Sequence, residues 1–236
     1  MQETIKTNIE CIRERIAKAA QRAGRDPESI TLIAVSKLHS AAEVEAAAAC
    51  GIKDFGENKV QELLQKQPLV TAPANWHLIG HLQTNKVRQI VGKTVLIHSV
   101  DSLHLAEEID KRSAAAGTVS DILVQVNAAH EESKFGVSPN EAKKLVHTIC
   151  ENLKNLRVRG LMQIAPFAED PEDIRVYFTQ TASLFEKLKS EGLGSFDTLS
   201  MGMSHDFETA IEEGATHVRI GTAIFGERDY SKKIII

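Results

Sequence analysis

The chain has 236 residues, of which 42% are hydrophobic and 25% are charged, with a formal net charge of −4 at pH 7. A chain of this length buries enough surface to be stable without disulfides or a structural metal, and it suits one α/β barrel. The weak, evenly spread charge predicts neither nucleic acid nor a membrane as partner, and three widely spaced cysteines predict no metal site and a cytoplasmic location.

The chain begins with a charged amphipathic segment at about residues 2–23, which predicts a helix rather than a signal peptide. Short β-branched runs then alternate with helical patterns from about residue 30 to residue 228. Most of these runs are continuously apolar, which is typical of parallel strands that are covered on both faces. The eight predicted strands are 31–36, 54–56, 76–80, 95–100, 121–126, 158–163, 198–200 and 217–220.

Helix start signals separate the predicted strands. Ser40 and Ser138 each precede a glutamate by three residues, a spacing that predicts a capping box. Eight strands alternating with helices predict a single-domain (β/α)8 TIM-type barrel over residues 1–236 with an extra N-terminal helix, and a doubly wound open sheet is the alternative. Because only 16 residues follow the last predicted strand, we expect the N-terminal helix to cover the place of a short or missing final helix.

A lysine, Lys37, directly follows the first predicted strand. In a β/α barrel the active site lies where strands end and helices begin, so we expect Lys37 at the barrel mouth. A lysine in a partly dry pocket is an amine that can attack a carbonyl group, as in class I aldolases and in proteins that bind pyridoxal 5′-phosphate (PLP). The alternative is a lysine at a sheet edge whose ammonium group reaches the solvent.

The last two predicted strands end in loops that suit an anion. The segment SMGMS, from Ser200 to Ser204, contains a glycine and two hydroxyls, and Gly221 and Thr222 follow the eighth strand. Such loops commonly hold phosphate in β/α barrels, although tight turns with helix caps explain the same residues. Arg219 lies inside an apolar run and needs a carboxylate or a ligand as partner, because its guanidinium stays charged.

Several motifs in one order carry a resemblance over almost the whole chain. They are AVSKLHS at 34–40, GENKVQE at 56–62, WHLIGHLQTNK at 76–86, SKFGV at 133–137, GLMQIAP at 160–166 and LSMGMSHDFETAIEEGATHVRIGTAIFGER at 199–228. With these motifs the sequence resembles the pyridoxal phosphate homeostasis protein family, whose barrel is similar to the N-terminal domain of alanine racemase.

The resemblance implies a PLP-binding protein that takes part in intracellular PLP homeostasis and has no established reaction of its own. It implies that Lys37 holds PLP as a Schiff base and that Arg219 faces the pyridine nitrogen. It implies that Ser204, Gly221 and Thr222 hold the phosphate. The other residues that it brings into the expected cofactor site are Ser200 and Met201 near the phosphate, Asn58, His81 and Asn85 at the mouth, and Met162 at the end of the sixth strand.

Three functions remain open. The first is a monomeric carrier that buffers PLP or delivers it to apo-enzymes. The second is an amino-acid racemase-like PLP enzyme, which would need an acid or base opposite the lysine; the sequence offers no second domain and only Tyr177 and Tyr230 as tyrosines, neither at a predicted strand end. The third is a PLP-free phosphosugar aldolase or isomerase. An arginine at the pyridine nitrogen can only donate a hydrogen bond, which disfavours strong carbanion stabilisation. Racemases of this shape share that arginine, however, so the missing second domain is the stronger argument for the carrier.

Overall fold

A closed barrel of parallel strands forms the centre of the protein. The computed structural model describes residues 2–131 and 134–227, so Ser133, Arg228 at the predicted end of the barrel, and Tyr230 lie outside the described residues. The strands pair in chain order, and the first pairs with the eighth to close the barrel, which confirms the predicted TIM-type fold. The strands are β1 (Thr31–Val35), β2 (Asp54–Glu57), β3 (Asn75–Leu78), β4 (Leu96–Val100), β5 (Ser120–Val126), β6 (Leu156–Gln163), β7 (Thr198–Ser200) and β8 (His217–Ile220).

One helix precedes the first strand, and the others follow the strands around the outside of the barrel. They are α1 (Gln2–Arg22), α2 (Ala41–Ala49), α3 (Val60–Lys66), α4 (Val87–Ile90), α5 (Leu103–Ala115), α6 (Pro139–Asn152), α7 (Arg175–Ser190), α8 (Phe207–Glu212) and α9 (Thr222–Phe225). Ser40 and Ser138 form the two predicted capping boxes, at the starts of α2 and α6. Among the described residues, no helix has both the length and the apolar character of a membrane span.

The N-terminal helix α1 takes the place that a long final helix would occupy. Its buried apolar face includes Ile5, Ile9, Ile12 and Ile16, at a spacing that aligns them on one side of a helix. This face packs against α2, α8 and the short α9, and the side-chain amide of Asn8 donates a hydrogen bond to the Ile224 carbonyl at 2.9 Å. The expectation that α1 covers this part of the barrel is confirmed.

The alternation of side chains along each strand separates an outer layer from the barrel interior. Ile97 and Leu199 belong to the large apolar core that also contains the helix side chains, so they face outward. Their neighbours His98 and Ser200 therefore point into the barrel, because successive side chains of a strand lie on opposite faces. The same alternation turns Arg219 inward, between the outward-facing residues 218 and 220.

Candidate functional site

A cavity of about 310 Å³ opens at the carboxyl ends of the strands, where a β/α barrel carries its active site. Its volume lies at the lower end of the range for small-molecule pockets, roughly 300–1,000 Å³. Lys37 and Arg219 bring positive charge to it, and none of the lining residues that the structure describes is acidic, so the cavity suits an anion. The lining residues are Val35, Lys37, Asn58, Ile79, Ile164, Met203, Ser204, His205, Arg219, Gly221 and Thr222.

Lys37 lies in a tight turn that directly follows β1. The His39 N–H donates to the Ser36 carbonyl at 3.0 Å and closes the turn, while the Ser36 N–H donates to the Gly56 carbonyl at 3.1 Å. Leu38 has a φ of 66°, a left-handed conformation that costs a bulky residue about 1–3 kcal/mol. This backbone conformation persists only because the surrounding contacts impose it.

A buried charged cluster of Glu57, Glu62 and Lys66 imposes the conformation of the Lys37 turn. The Lys66 ammonium donates to the Ser36 carbonyl at 2.7 Å, to Glu57 Oε1 at 2.5 Å and to Glu62 Oε1 at 2.9 Å. Glu62 Oε1 also accepts from the Leu38 N–H at 2.6 Å. The cluster therefore fixes the residues on both sides of Lys37.

The protonation of Glu57 balances the charge of this cluster. Glu57 is fully buried, and its Oε1 accepts from Lys66 and from the Ser36 hydroxyl, whereas its Oε2 has no hydrogen-bond partner among the described residues. Burial raises the pKa of Glu57 to about 7, against the opposing attraction of Lys66. Near neutral pH Glu57 is thus partly protonated, which reduces the negative charge of the cluster.

Arg219 projects from β8 into the barrel and is 4% exposed. Its guanidinium donates to Ser200 Oγ at 2.6 Å and to the Gln163 carbonyl at 2.7 Å, and both acceptors are neutral. Burial lowers the pKa of Arg219 to about 10, so the group still carries its proton at neutral pH. The cavity thus contains a buried cation whose hydrogen-bond partners are neutral, with only the charge of Asp206, among the described residues, to attract it from a distance, and this arrangement favours an acceptor or an anion on the ligand.

The loops after β7 and β8 meet at one side of the cavity. Ser204 Oγ lies 3.5 Å from the backbone nitrogen of Ala223, and Gly221 and Thr222 begin the short turn of α9. Gly202 has a φ of 92°, and a Cβ there would lie 2.7 Å from the Ala210 side chain, so only glycine fits this close approach. Hydroxyls and backbone N–H groups are the donors that a phosphate requires.

Six of the predicted site residues line the cavity together, and five do not. The six are Lys37, Asn58, Ser204, Arg219, Gly221 and Thr222. Ser200 lies just beneath the cavity and contacts it through Arg219. Met201 faces the outer core, and Met162 packs with Leu96 and Leu123 in the interior. His81 and Asn85 are exposed; the His81 ring stacks on Phe135 with centroids 3.8 Å apart.

The site also contains residues that the sequence reasoning missed. Val35, Ile79 and Ile164 are apolar lining residues, and a strand-end rule that looks for polar groups does not find them. His77 and His98 lie in the interior beneath Arg219, and the signal that could have found them is a histidine inside each of two apolar runs. A buried imidazole requires a hydrogen-bond partner, and two such strands place the partners together.

Comparison with known proteins identifies relatives across the whole chain. The family model of the alanine racemase N-terminal domain matches residues 7–229. A pyridoxal phosphate homeostasis protein from Aquifex aeolicus is 49% identical, over 92% of this chain and 95% of its own length. PipY from Synechococcus elongatus PCC7942, solved with PLP bound, is 37% identical with a TM-score of 0.79, over 89% of this chain and 100% of that chain. An alanine racemase from Clostridium difficile 630 shares only the fold, with 15% identity and a TM-score of 0.75 over 95% of this chain and 57% of that chain.

Proposed function

This chain belongs to the pyridoxal phosphate homeostasis protein family, and from that premise we propose that it binds PLP in the cavity at the barrel mouth and acts in intracellular PLP homeostasis. The observation that carries the proposal is a cavity with Lys37 and Arg219 in its wall and no acidic residue among its described lining residues. An amine and an anion-binding loop in one small pocket are the two features that a phosphorylated aldehyde requires.

The described residues fit PLP group by group. Lys37 supplies the amine, and the Lys37 turn is held rigidly by the charged cluster of Glu57, Glu62 and Lys66. Ser204, Gly221 and Thr222 supply hydroxyl and backbone donors for a phosphate. The low-lying Arg219 supplies a hydrogen-bond donor for a ring nitrogen at the floor of the cavity.

The chemistry that PLP brings is an aldehyde that condenses reversibly with an amine. Lys37 holds the cofactor as a Schiff base, and the rigid turn limits the positions that its side chain can take. Arg219 donates a hydrogen bond and keeps its own proton at neutral pH, because its pKa is about 10. It would therefore supply no proton to a ring nitrogen, which would weaken the electron sink that carbanion chemistry needs. We place this function in the cytoplasm, in a monomer.

A titration with PLP tests the proposal. We expect the wild type to gain the visible absorption of PLP joined to an amine, and Lys37→Ala to lose it. Lys59→Ala is the matched control, because Lys59 is exposed and lies one residue beyond the lining residue Asn58. Borohydride reduction followed by peptide mass spectrometry should place the added mass on the peptide that contains Lys37. Labelling of another lysine, or an equal spectrum for Lys37→Ala, contradicts the proposal.

Two assays separate a carrier from an enzyme. Incubation with D- and L-alanine should give no interconversion at ordinary enzyme rates, which are roughly 1–1,000 s⁻¹. Mixing the loaded protein with an apo PLP enzyme should activate that enzyme, and a scavenger of free PLP distinguishes direct delivery from release into solution. Rapid racemisation would instead support the racemase-like alternative.

A further inference from the structure

A row of hydrogen-bonded polar side chains crosses the barrel interior beneath the cavity. Ser200 Oγ accepts from Arg219 at 2.6 Å and lies 3.0 Å from His98 Nδ1. His98 Nε2 lies 3.0 Å from His77 Nδ1, and His77 Nε2 lies 3.1 Å from Asp54 Oδ1. Arg219, Ser200, His98 and His77 are at most 4% exposed. These five residues, each from a different strand, form what we call the interior chain.

The chemistry of its two ends sets the direction of every hydrogen bond in the interior chain. A guanidinium only donates and a carboxylate only accepts. Ser200 accepts from Arg219 and can donate its hydrogen to His98 Nδ1, which leaves the proton of a neutral His98 on Nε2. His98 then donates to His77 Nδ1, and His77 donates from Nε2 to Asp54. Burial lowers the pKa of His98 well below its ordinary value, which agrees with a neutral imidazole.

The far end of the interior chain reaches the opposite face of the barrel. Asp54 is the first residue of β2, and its side chain is 22% exposed. It borders a second cleft, of about 530 Å³, that is also lined by Arg13 of α1 and by Lys53, which directly precedes β2. Burial raises the pKa of Asp54, but hydrogen bonds from His77 and Asn75 outweigh burial and lower the pKa overall. A carboxylate therefore terminates the interior chain.

The geometry points to Ser200, His98 and His77 as positioning residues that hold the Arg219 guanidinium in one orientation toward bound PLP, with Asp54 as their anchor. This inference rests on the proposed function, because it takes PLP as the ligand that Arg219 contacts. Each member acts through the next. Asp54 selects the Nε2–H form of His77, and His77 in turn selects the Nε2–H form of His98. His98 then accepts the Ser200 hydroxyl hydrogen, which leaves the lone pairs of Ser200 facing Arg219. Residues far from the cavity thereby contribute to PLP affinity.

The donor and acceptor order of the hydrogen bonds in the interior chain can be measured without PLP. Long-range ¹H–¹⁵N correlation spectra of the ¹⁵N-labelled protein distinguish the two neutral imidazole forms and the imidazolium. At neutral pH we expect the Nε2–H form for both His77 and His98, and loss of that preference in Asp54→Ala, which removes the acceptor of the His77 Nε2–H. A proton on Nδ1 of His98 in the wild type would reverse the order of the hydrogen bonds and overturn the inference, whether or not the protein binds PLP.

The effect on the cofactor is measured by PLP titration of variants of His98. In His98→Leu the interior chain is broken, and we expect PLP to bind about tenfold more weakly with a shifted absorption band. In His98→Gln the amide oxygen can accept from Ser200 and the amide nitrogen can donate to His77, so most of the affinity and the wild-type band should return. Leu123→Met is the control for a change of packing in the same interior, because Leu123 has no part in the interior chain.

A purely structural role gives a different result. In that case His98→Leu and Leu123→Met would change thermal stability while PLP affinity stayed within about twofold of wild type and the absorption band did not move. If His98→Leu does not fold, the comparison of His98→Gln with wild type and the spectra of the PLP-free wild type still decide the question. If the wild type itself fails to bind PLP, the proposed function fails, whereas the direction of the interior chain is still decided by the spectra.

Discussion

The two cations of the cavity, Lys37 and Arg219, are supported by residues that differ in position and in charge. The turn that contains Lys37 is held from outside the barrel wall by the charged cluster of Glu57, Glu62 and Lys66. Arg219 is held from inside the barrel by the interior chain, in which it contacts the neutral Ser200 and, through it, the neutral His98. The charged cluster fixes a strained backbone, whereas the interior chain orients a side chain.

This difference predicts that the two regions fail in different ways. A buried charge that loses its partner costs far more free energy than a neutral hydrogen bond that is lost. Damage to the charged cluster should therefore appear as loss of stability, and damage to the interior chain as loss of ligand affinity at a smaller cost in stability.

The largest expected effect is that of Lys66→Met. Lys66 is 4% exposed, and its removal leaves two carboxyl groups buried without their cation. We expect the free energy of unfolding to fall by about 3–5 kcal/mol, measured by denaturant unfolding at neutral pH. Lys59→Met, at an exposed position one residue before α3, should change it by less than about 0.5 kcal/mol. A loss below about 1 kcal/mol for Lys66→Met would show that the charged cluster does not hold the fold.

The next effect is a change in pH dependence when Glu57 is replaced by glutamine. Glu57 has a pKa of about 7 in the folded protein and near 4.5 when unperturbed. Between these values the folded state binds more protons, so this group adds stability below about pH 4.5 that is lost as the pH rises through about 7. Glu57→Gln removes this loss, and the fall in unfolding free energy from pH 4.5 to 7 should shrink by about 2–3 kcal/mol. Unfolding curves at several pH values measure it, with the exposed Glu28→Gln as the control that keeps the wild-type slope.

A smaller effect is expected for Ser200→Ala in the interior chain. The change removes the acceptor of one Arg219 hydrogen bond and the donor to His98. We expect PLP to bind about tenfold more weakly and the unfolding free energy to fall by about 1–2 kcal/mol. Ser99→Ala is a matched control, because the Ser99 hydroxyl is equally buried and has no hydrogen-bond partner in the part of the chain that the structure describes. Equal PLP affinity for the two alanine variants would contradict the role of the interior chain.

The smallest expected quantity is the energetic coupling between the two regions. Glu57 and Ser200 share no hydrogen-bond partner among the described residues. In a double-mutant cycle of Glu57→Gln and Ser200→Ala, the two changes in unfolding free energy should add to within about 0.5 kcal/mol. A coupling above about 1 kcal/mol would mean that the barrel wall transmits strain between the regions, so that the charged cluster and the interior chain do not act independently.

Much of the site could be predicted from the sequence because strand ends in a β/α barrel share one face. That rule finds Lys37, Ser204, Arg219, Gly221 and Thr222, and the family resemblance adds Asn58; all six line the cavity. It does not find the depth or direction of a side chain. Met201 follows a strand end but faces the outer core, and Met162 lies in the interior packed with Leu96 and Leu123. His81 lies far enough along its loop to be exposed and stack on Phe135.

The sequence by itself determined the alternation of strands and helices, the capping boxes at Ser40 and Ser138, and a lysine at the end of the first strand. These features depend on residues that are close in the chain, so short-range patterns reveal them. Only the tertiary structure decided which side chains meet across the barrel. Closure of eight strands brings Asp54, His77, His98, Ser200 and Arg219 into one row, and no local pattern encodes contacts between residues that far apart. The same closure places the charged cluster on the outer side of the wall, where it can hold the turn of Lys37.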